Sequence, residues 1–358
     1  MLYDTRTPLD VIMYKEFVTY KELQKIIPIE FSDDNETDTI NVYIDLYQFL
    51  VTLFRYTRVG NYFNISACII NYCAHIRNYF NTRHNVYTNI CLVYSTNDST
   101  NNTRFISNYN FDYKNRMKYN VKIRRNVEEN MKLVRLLVPY IPNVFLKEGT
   151  VETSVIIHDI IQKKLLGDNP SIIISNSQLM YQVPVNNPNT IVIKKDMRFY
   201  TDPNDSRTYS YNYYDATRAY IYELKKINIY DDISPKAISL LMTLIGVPKR
   251  NIKSFCSYKT ALAISKLTPL GCESDPEILF GVCEEYYKSK HRKNTPIIEG
   301  QFNRVFRCID LKFQYKLYEQ LPEYNQDGFI IENLDDAEGI QYINNKYFRD
   351  SPLNLECF

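Results

Sequence analysis

Acidic side chains at the ends of two predicted strands are the residues of this sequence best placed for chemistry. Asp45 closes the strand-like run NVYIDL (41–46), and Glu152 follows the run NVFL at 143–146. Because the carboxyl ends of parallel strands meet at one edge of a sheet, we expect both carboxylates at that edge. Carboxylate oxygens are the ligands that Mg²⁺ prefers. Two carboxylates alone predict at most a weak, water-mediated Mg²⁺ site, and we predict no resident cofactor.

The strands that must position these acids alternate with helices along the first half of the chain. Further β-branched runs lie at 89–95, 171–175 and 190–195. Apolar residues at helical spacing predict helices at 65–80, 124–138 and 152–165. This alternation predicts an α/β fold with a central, mostly parallel sheet and helices on both faces. The second half is more helical, with helices predicted at 234–246, 258–267, 277–288 and 301–318.

The segments that follow the predicted strands carry a resemblance to a known family. Ser95-Thr96-Asn97-Asp98, GTVETS at 149–154, SNSQLMYQ at 175–182 and GVPKR at 246–250 occur in order along the chain. Their order and spacing resemble the 5′ nucleases, that is, the PIN-like flap endonucleases and phage 5′-3′ exonucleases. The resemblance covers about residues 41–318 and implies the same α/β fold followed by a helical region that includes a helix-hairpin-helix.

The resemblance also implies where metal-binding acids should stand, and most of those positions have lost them. Asp45 and Glu152 match acids of the family. Other acid positions carry residues that cannot ligate Mg²⁺ as carboxylates: Ser95, Ser154, Val155, Ser177, Leu179, Val247 and Arg250. Two metal ions about 4 Å apart need several carboxylates around them. We therefore predict a catalytically inactive relative with no catalytic residues, in which Asp45 and Glu152 are remnants.

A basic segment at 96–135 resembles the arch through which the family threads single strands. The candidate nucleic-acid contacts alternate with Tyr and Phe, as in single-strand-binding surfaces. They are Arg104, Lys114, Arg116, Lys118, Lys122, Arg124 and Arg125. The same segment would also suit a solvated loop or a surface for an acidic protein partner. The glycines of the family's phosphate-binding hairpin are absent from 253–260.

Composition says more about the source and cellular location of the protein than about its activity. Formal net charge is +2, from 43 basic and 41 acidic residues, so the whole-chain charge favours no polyanionic partner. Eight Cys without a Cys-x-x-Cys pair predict reduced thiols and an intracellular location. No apolar run reaches the roughly 20 residues of a membrane helix, so we predict no membrane partner. Frequent Asn, Ile, Lys and Tyr are typical of an AT-rich genome and suggest a virus or phage.

Four regions and three functional hypotheses follow. The regions are an N-terminal extension (1–40), a PIN-like core (41–200) containing the basic arch, a helical region (201–320) and an acidic tail (321–358). The first hypothesis is a structural or assembly component of a viral or other multi-protein complex, with Tyr-rich contact surfaces. The second is a protein that binds single-stranded or branched DNA or RNA without cutting it. The third is an active nuclease with a site rebuilt from Asp45, Asp98, Glu152 and Asp159.

Overall fold

A single mixed sheet organises the protein, and its bounds follow the predicted apolar runs. A computed structural model of the chain describes residues 39–47, 49–50, 69–70, 72–74, 76–78, 80–81, 85–95, 121–195, 208–225, 233–269, 271–290, 296–321, 324 and 341. Its strands are β1 (Thr39–Asp45), β2 (Tyr87–Ser95), β3 (Val144–Gly149), β4 (Ser171–Ile174), β5 (Thr190–Lys195) and β6 (Thr208–Tyr211). In space they lie in the order β3-β2-β1-β4-β5-β6. Neighbouring strands from β3 to β5 are parallel, and β6 pairs antiparallel with β5.

Helices follow the strands and then dominate the second half. They are α1 (Val121–Leu137), α2 (Thr153–Gln162), α3 (Val183–Asn186), α4 (Ala216–Lys225), α5 (Ile238–Ile245), α6 (Tyr258–Ser265), α7 (Pro276–Ser289), α8 (Glu299–Ile309) and α9 (Leu311–Glu319). The described residues at 46–50 and 69–81 are helical as well. The predicted α/β class with a following helical region is confirmed. Residues 16–27, whose apolar spacing also predicts a helix, lie outside the described residues.

Alternation along each strand divides the interior into two cores, one on each face of the sheet. Val42 and Ile44 pack with the described residues of 69–80 and with α1. Tyr43, between them, packs on the opposite face with α2 and the second-half helices. Successive side chains of a strand point to opposite faces, and here both faces are covered. This is why the five parallel strands are apolar almost without interruption and why they could be predicted.

Strand β6 and the segment 301–318 differ from the predictions, and the short helix α3 was not predicted. Strand β6 was not predicted, because its sequence TYSY lacks an apolar run and its position depends on pairing with the edge of β5. The helix predicted at 301–318 is wrong as a single helix, because the chain breaks at Asp310 between α8 and α9. Asp310 adopts extended backbone angles, and its side chain accepts a hydrogen bond from the Phe313 amide at 2.8 Å. An Asp at this position starts a new helix instead of continuing the old one.

The cysteines whose positions are described are free thiols. Cys73, Cys91, Cys283 and Cys308 are buried, whereas Cys256 and Cys272 are half-buried. Burial raises the pKa of the Cys73 and Cys91 thiols to about 12, so both stay neutral and unreactive. Within the part of the chain that the structure describes, no helix is long and apolar enough to cross a membrane.

His158 is a buried neutral imidazole on α2. Its Nδ1 lies 3.0 Å from the Asn187 side-chain nitrogen, and its ring meets the edge of the Tyr315 ring with centroids 5.0 Å apart. The same Asn187 nitrogen also donates to the Val183 carbonyl at 2.9 Å. Asn187 therefore donates to Nδ1, and the imidazole carries its proton on Nε2. Burial lowers the pKa of His158 to about 4.

We predict that replacing His158 by Gln flattens the acid side of the stability profile. The wild-type protein should lose stability as pH falls below about 6.5. In the unfolded chain His158 is protonated in this range, whereas in the folded protein it is protonated only near pH 4. Between pH 7 and 4.5 this loss amounts to roughly 2–3 kcal/mol. Urea unfolding of both proteins at the two pH values measures it. The Asp310 carboxyl, whose pKa is raised by burial, acts with the opposite sign in both proteins and cancels in the difference. Equal pH dependence in the two proteins would contradict the prediction.

Candidate active-site region

Asp45 and the segments that carry the resemblance lie along the carboxyl edge of the sheet. Asp45 ends β1 and Ser95 ends β2, while β3 ends at Gly149 and Ser175 follows β4. The parallel register pairs Ser95 with Gly149 and Asp45 with Val93, so these ends lie along one edge. The strands thus deliver their last side chains to the place where this kind of sheet binds its ligands.

Asp45 is bound by the segment that follows the neighbouring strand. It is 2% exposed, and its Oδ2 accepts a hydrogen bond from Ser175 Oγ at 2.7 Å. Ser175 Oγ in turn accepts from the Ser177 amide at 3.1 Å. The resemblance places an acid at Ser177, whose amide now helps to fix the hydroxyl bound to Asp45. The carboxylate is therefore part of a buried polar contact between β1 and the segment after β4.

The Ser95 hydroxyl is hydrogen-bonded to the backbone. Its Oγ donates to the Val151 carbonyl at 2.6 Å, and the residue is 7% exposed. Where the resemblance implies an acid at the end of β2, this chain has a hydrogen bond that ties β2 to the segment after β3. Such a bond stabilises the edge by about 1 kcal/mol and leaves no charge there to hold a cation.

Glu152 is bound by a guanidinium. It precedes α2 at the N-cap position, but its side chain makes no capping hydrogen bond. Instead Oε2 accepts a hydrogen bond from Arg250 Nη2 in a salt bridge, with side chains 4% and 11% exposed. The Arg250 side chain stands at a position where the resemblance implies a metal-binding Asp. A positive charge therefore lies beside the Glu152 carboxylate.

A tight loop after α5 holds Arg250 in place. Gly246 ends α5 with φ +84°, and a Cβ there would lie 2.5 Å from the Ile252 carbonyl oxygen. Only glycine accepts both this angle and this close approach of backbone. The loop closes on itself where the Arg250 amide donates to the Val247 carbonyl at 2.8 Å. Tyr220 anchors it from α4 by donating its hydroxyl to the Gly246 carbonyl.

A second buried ion pair lies beside this edge, and the sequence reasoning missed it. Glu223 of α4 accepts hydrogen bonds from Lys194 at 2.7 Å, Tyr181 at 2.6 Å and Gln178 at 3.2 Å. The Lys194 side chain is 1% exposed, and its ammonium lies 4.1 Å from the centre of the Tyr181 ring. A lysine inside an apolar strand was the one available signal, because a buried ammonium needs a carboxylate partner. Leu179, at another position where the resemblance implies an acid, is buried in the adjacent core.

Asp159 does not join the remnant acids. Its Oδ1 forms a salt bridge with Lys163 at 3.2 Å and accepts a hydrogen bond from the Tyr324 hydroxyl at 2.9 Å. It follows Glu152 by seven residues, which places it roughly 10 Å further along the axis of α2. Asp98, the other acid of the predicted rebuilt site, lies outside the described residues.

The residues at the edge do not fit a two-metal centre. Among the described parts of the chain, no three His, Cys, Asp or Glu side chains converge in a way that could hold a metal ion. Two adjacent divalent ions need several carboxylates to offset their repulsion. Here Asp45 is bound to a hydroxyl, and Glu152 is neutralised by Arg250.

The predicted arch lies largely outside the described residues. These do not include Arg104, Lys114, Arg116 or Lys118, whereas Lys122, Arg124 and Arg125 belong to α1. Further along α1, Lys132 pairs with Glu129 at 3.2 Å. Arg135 pairs with Glu148 of β3 through two hydrogen bonds of 2.8 and 2.7 Å. Two cations of the arch segment are thus directed to carboxylates of the same chain.

Comparison with known proteins supports the fold through structure and not through sequence. No protein-family model matches the sequence, and no curated protein matches it. Among solved structures, a bacteriophage T5 protein co-crystallised with metal ions is 12% identical, with a TM-score of 0.53. The match covers 87% of this chain and 97% of that chain.

A second bacteriophage T5 structure is a pseudo-enzyme–product complex of its flap endonuclease with DNA and metal ions. It is 13% identical, with a TM-score of 0.51, and the match covers 80% of this chain and 94% of that chain. This chain therefore has the 5′ nuclease fold, which confirms the fold that the strand-end segments implied. At this level of identity the likeness concerns the fold alone.

We predict that Glu152 and Arg250 are energetically coupled. Arg250→Met alone should destabilise the protein by roughly 3–5 kcal/mol, because it leaves a buried carboxylate without its cation. The double variant Glu152→Gln with Arg250→Met should lose clearly less than the sum of the two single variants. Urea unfolding of the four proteins gives the coupling energy.

The matched control is the more exposed pair of Arg135 and Glu148, with side chains 43% and 29% exposed. The cycle Arg135→Met with Glu148→Gln should show a coupling of about 1 kcal/mol or less. Additive effects at Glu152 and Arg250, or equal coupling in the two pairs, would show that the buried pair has no special role.

Proposed function

We propose that this chain is a non-catalytic protein of the 5′ nuclease fold that acts as a structural or assembly component. Its setting would be a virus particle or another multi-protein complex. The fold would then be retained for the surfaces that it presents and not for hydrolysis. The resemblance implies both the sheet and a set of metal-binding carboxylates at its edge. We propose that this chain has kept the sheet but not the metal site.

The Arg250 guanidinium on Glu152 is the observation that carries this proposal. Hydrolysis by a two-metal mechanism requires that the acids at the sheet edge remain available as metal ligands. A covalently tethered cation competes with any metal ion for the same carboxylate. Its positive charge at the same edge of the sheet also disfavours a divalent ion near Asp45. The serines and leucine at other acid positions remove the charge that would be needed to overcome this repulsion.

The position of Asp159 argues against an active site rebuilt from new acids. The backbone of Asp159 lies roughly 10 Å along α2 from that of Glu152, which disfavours a shared pair of ions about 4 Å apart. The Asp159 carboxylate oxygen is also occupied by Lys163 and Tyr324. Since the rebuilt site required Asp159 beside the remnant acids, this arrangement favours the absence of catalysis.

Surface composition favours protein partners. The chain contains 32 Tyr, and its net charge of +2 provides no overall attraction for a polyanion. Tyr214, two residues before α4, is 74% exposed, and Tyr222 within α4 is 42% exposed. Exposed tyrosines are enriched at protein interfaces, where the ring is buried and the hydroxyl finds a polar partner.

A second candidate function is binding of single-stranded or branched nucleic acid without cleavage. The T5 flap endonuclease structure with a similar fold contains DNA. The basic arch segment of this chain has the cations and aromatic residues that single strands require. Against it, Lys132 and Arg135 are paired with carboxylates. This candidate therefore depends on the remaining arch cations.

We expect no cleavage of a fluorescent 5′-flap DNA or of a single strand, in Mg²⁺ or in Mn²⁺, with an EDTA sample as the background. The reason is that the carboxylates available at the edge are too few for two metal ions. Gel analysis after long incubation at high protein concentration gives the measurement. Metal-dependent cleavage that disappears in Asp45→Ala would contradict the proposed function.

Fluorescence anisotropy with the same DNAs at low salt distinguishes the two candidates. If the arch binds nucleic acid, Arg116→Ala with Arg124→Ala should weaken binding severalfold and reduce its salt dependence, because fewer counterions are released. The matched control, Lys132→Ala with Arg135→Ala, removes the same number of charges from carboxylate-paired positions and should change binding much less. No binding by the wild-type protein at low salt would exclude the nucleic-acid candidate.

A further inference from the structure

The Glu152–Arg250 contact joins two regions of the fold that are distant in sequence. The partners are 98 residues apart, one at the start of α2 after the sheet strand β3 and one in the loop after α5. Both side chains are almost removed from solvent. A charge in such surroundings is costly unless an opposite charge and hydrogen bonds accompany it.

The placement of Arg250 is determined by its own loop as well as by Glu152. Gly246 and the hydrogen bond from the Arg250 amide to Val247 hold the backbone of the loop. The adjacent Asn251 adopts a left-handed conformation with φ +59°. Because the loop backbone is already held, binding of the guanidinium to Glu152 costs no further loop entropy. A planar guanidinium also matches the geometry of a carboxylate better than an ammonium does.

We propose that the Arg250 guanidinium is a resident cation that holds the carboxyl edge of the sheet to the helical region in place of a metal ion. The cavity that it fills would then be a specific site for a planar guanidinium-type cation. This inference rests on the proposed function in one respect, namely that Glu152 has a structural role. It explains how a fold can keep a buried acid at this edge after most metal ligands have been lost.

The test is chemical rescue of the full-length Arg250→Ala variant, followed by thermal unfolding. Truncation removes the guanidinium and leaves its space beside Glu152. Guanidinium chloride or methylguanidinium chloride at low millimolar concentration should then raise the melting temperature of the variant by a few degrees, since a ligand that binds only the native state stabilises it. Sodium chloride at equal ionic strength should not.

Two controls make the result specific. The wild-type protein, whose site is filled, should show no rise, and its melting temperature should be the same in Mg²⁺ and in EDTA. Arg250→Ala with Glu152→Gln should also show no rise, because the carboxylate that binds the cation is gone. If Arg250→Ala fails to fold, Arg250→Gly expressed and refolded in the presence of methylguanidinium should recover folded protein, and the same variant with Glu152→Gln should not.

Three outcomes would overturn the inference. They are an unchanged stability of Arg250→Ala, a rescue that persists without the Glu152 carboxylate, and a variant stabilised by Mg²⁺ but not by guanidinium. The readout is stability, so it is independent of the proposed lack of hydrolysis. Cleavage of DNA by the wild-type protein would remove the proposed function and leave the rescue result to be judged by itself.

Discussion

A carboxylate buried at the edge of a parallel sheet must be neutralised, and the way in which this chain neutralises Glu152 determines much of its structure. Parallel strands bring their carboxyl ends to one edge, where the acids of β1 and of the segment after β3 are almost fully buried. Metal ions are one means of balancing such charge. Here the balance comes from Arg250, and it requires that the loop after α5 be folded tightly against the sheet.

The same requirement explains the second buried ion pair. Lys194 lies inside β5, where neither face of the sheet offers water, and its ammonium is matched by Glu223 of α4. Tyr181 and Gln178 supply further hydrogen bonds to that carboxylate, so the pair is satisfied on several sides. Two ion pairs therefore attach second-half segments to the sheet. Buried ion pairs of this kind contribute little net stability, but losing one partner is costly, which favours a single arrangement of the segments.

The fold of the sheet does not depend on the acids at its carboxyl edge. The sheet and its two apolar cores depend on the alternation of strand side chains, which does not involve the acids at the edge. A serine such as Ser95 is accommodated at this edge, because its hydroxyl is satisfied by the Val151 carbonyl. This independence allows the fold to be shared with solved structures at 12–13% identity.

The sequence by itself determined the five parallel strands and the placement of Asp45 and Glu152 at or after the ends of two of them. Apolar runs buried on both faces and residues placed at strand ends are local patterns, so they can be recognised without knowing what they contact. Only the tertiary structure decided the partners. That Glu152 meets Arg250, that Lys194 meets Glu223, and that β6 adds to the edge of β5 all depend on segments brought together across the chain. The break at Asp310 is similar, because the helical period continues through it. Beside it the Gln182 side chain accepts a hydrogen bond from the Leu311 amide at 2.9 Å, a contact across 129 residues. Local spacing carries no information about such contacts, since their energy depends on burial that exists only once the chain has folded.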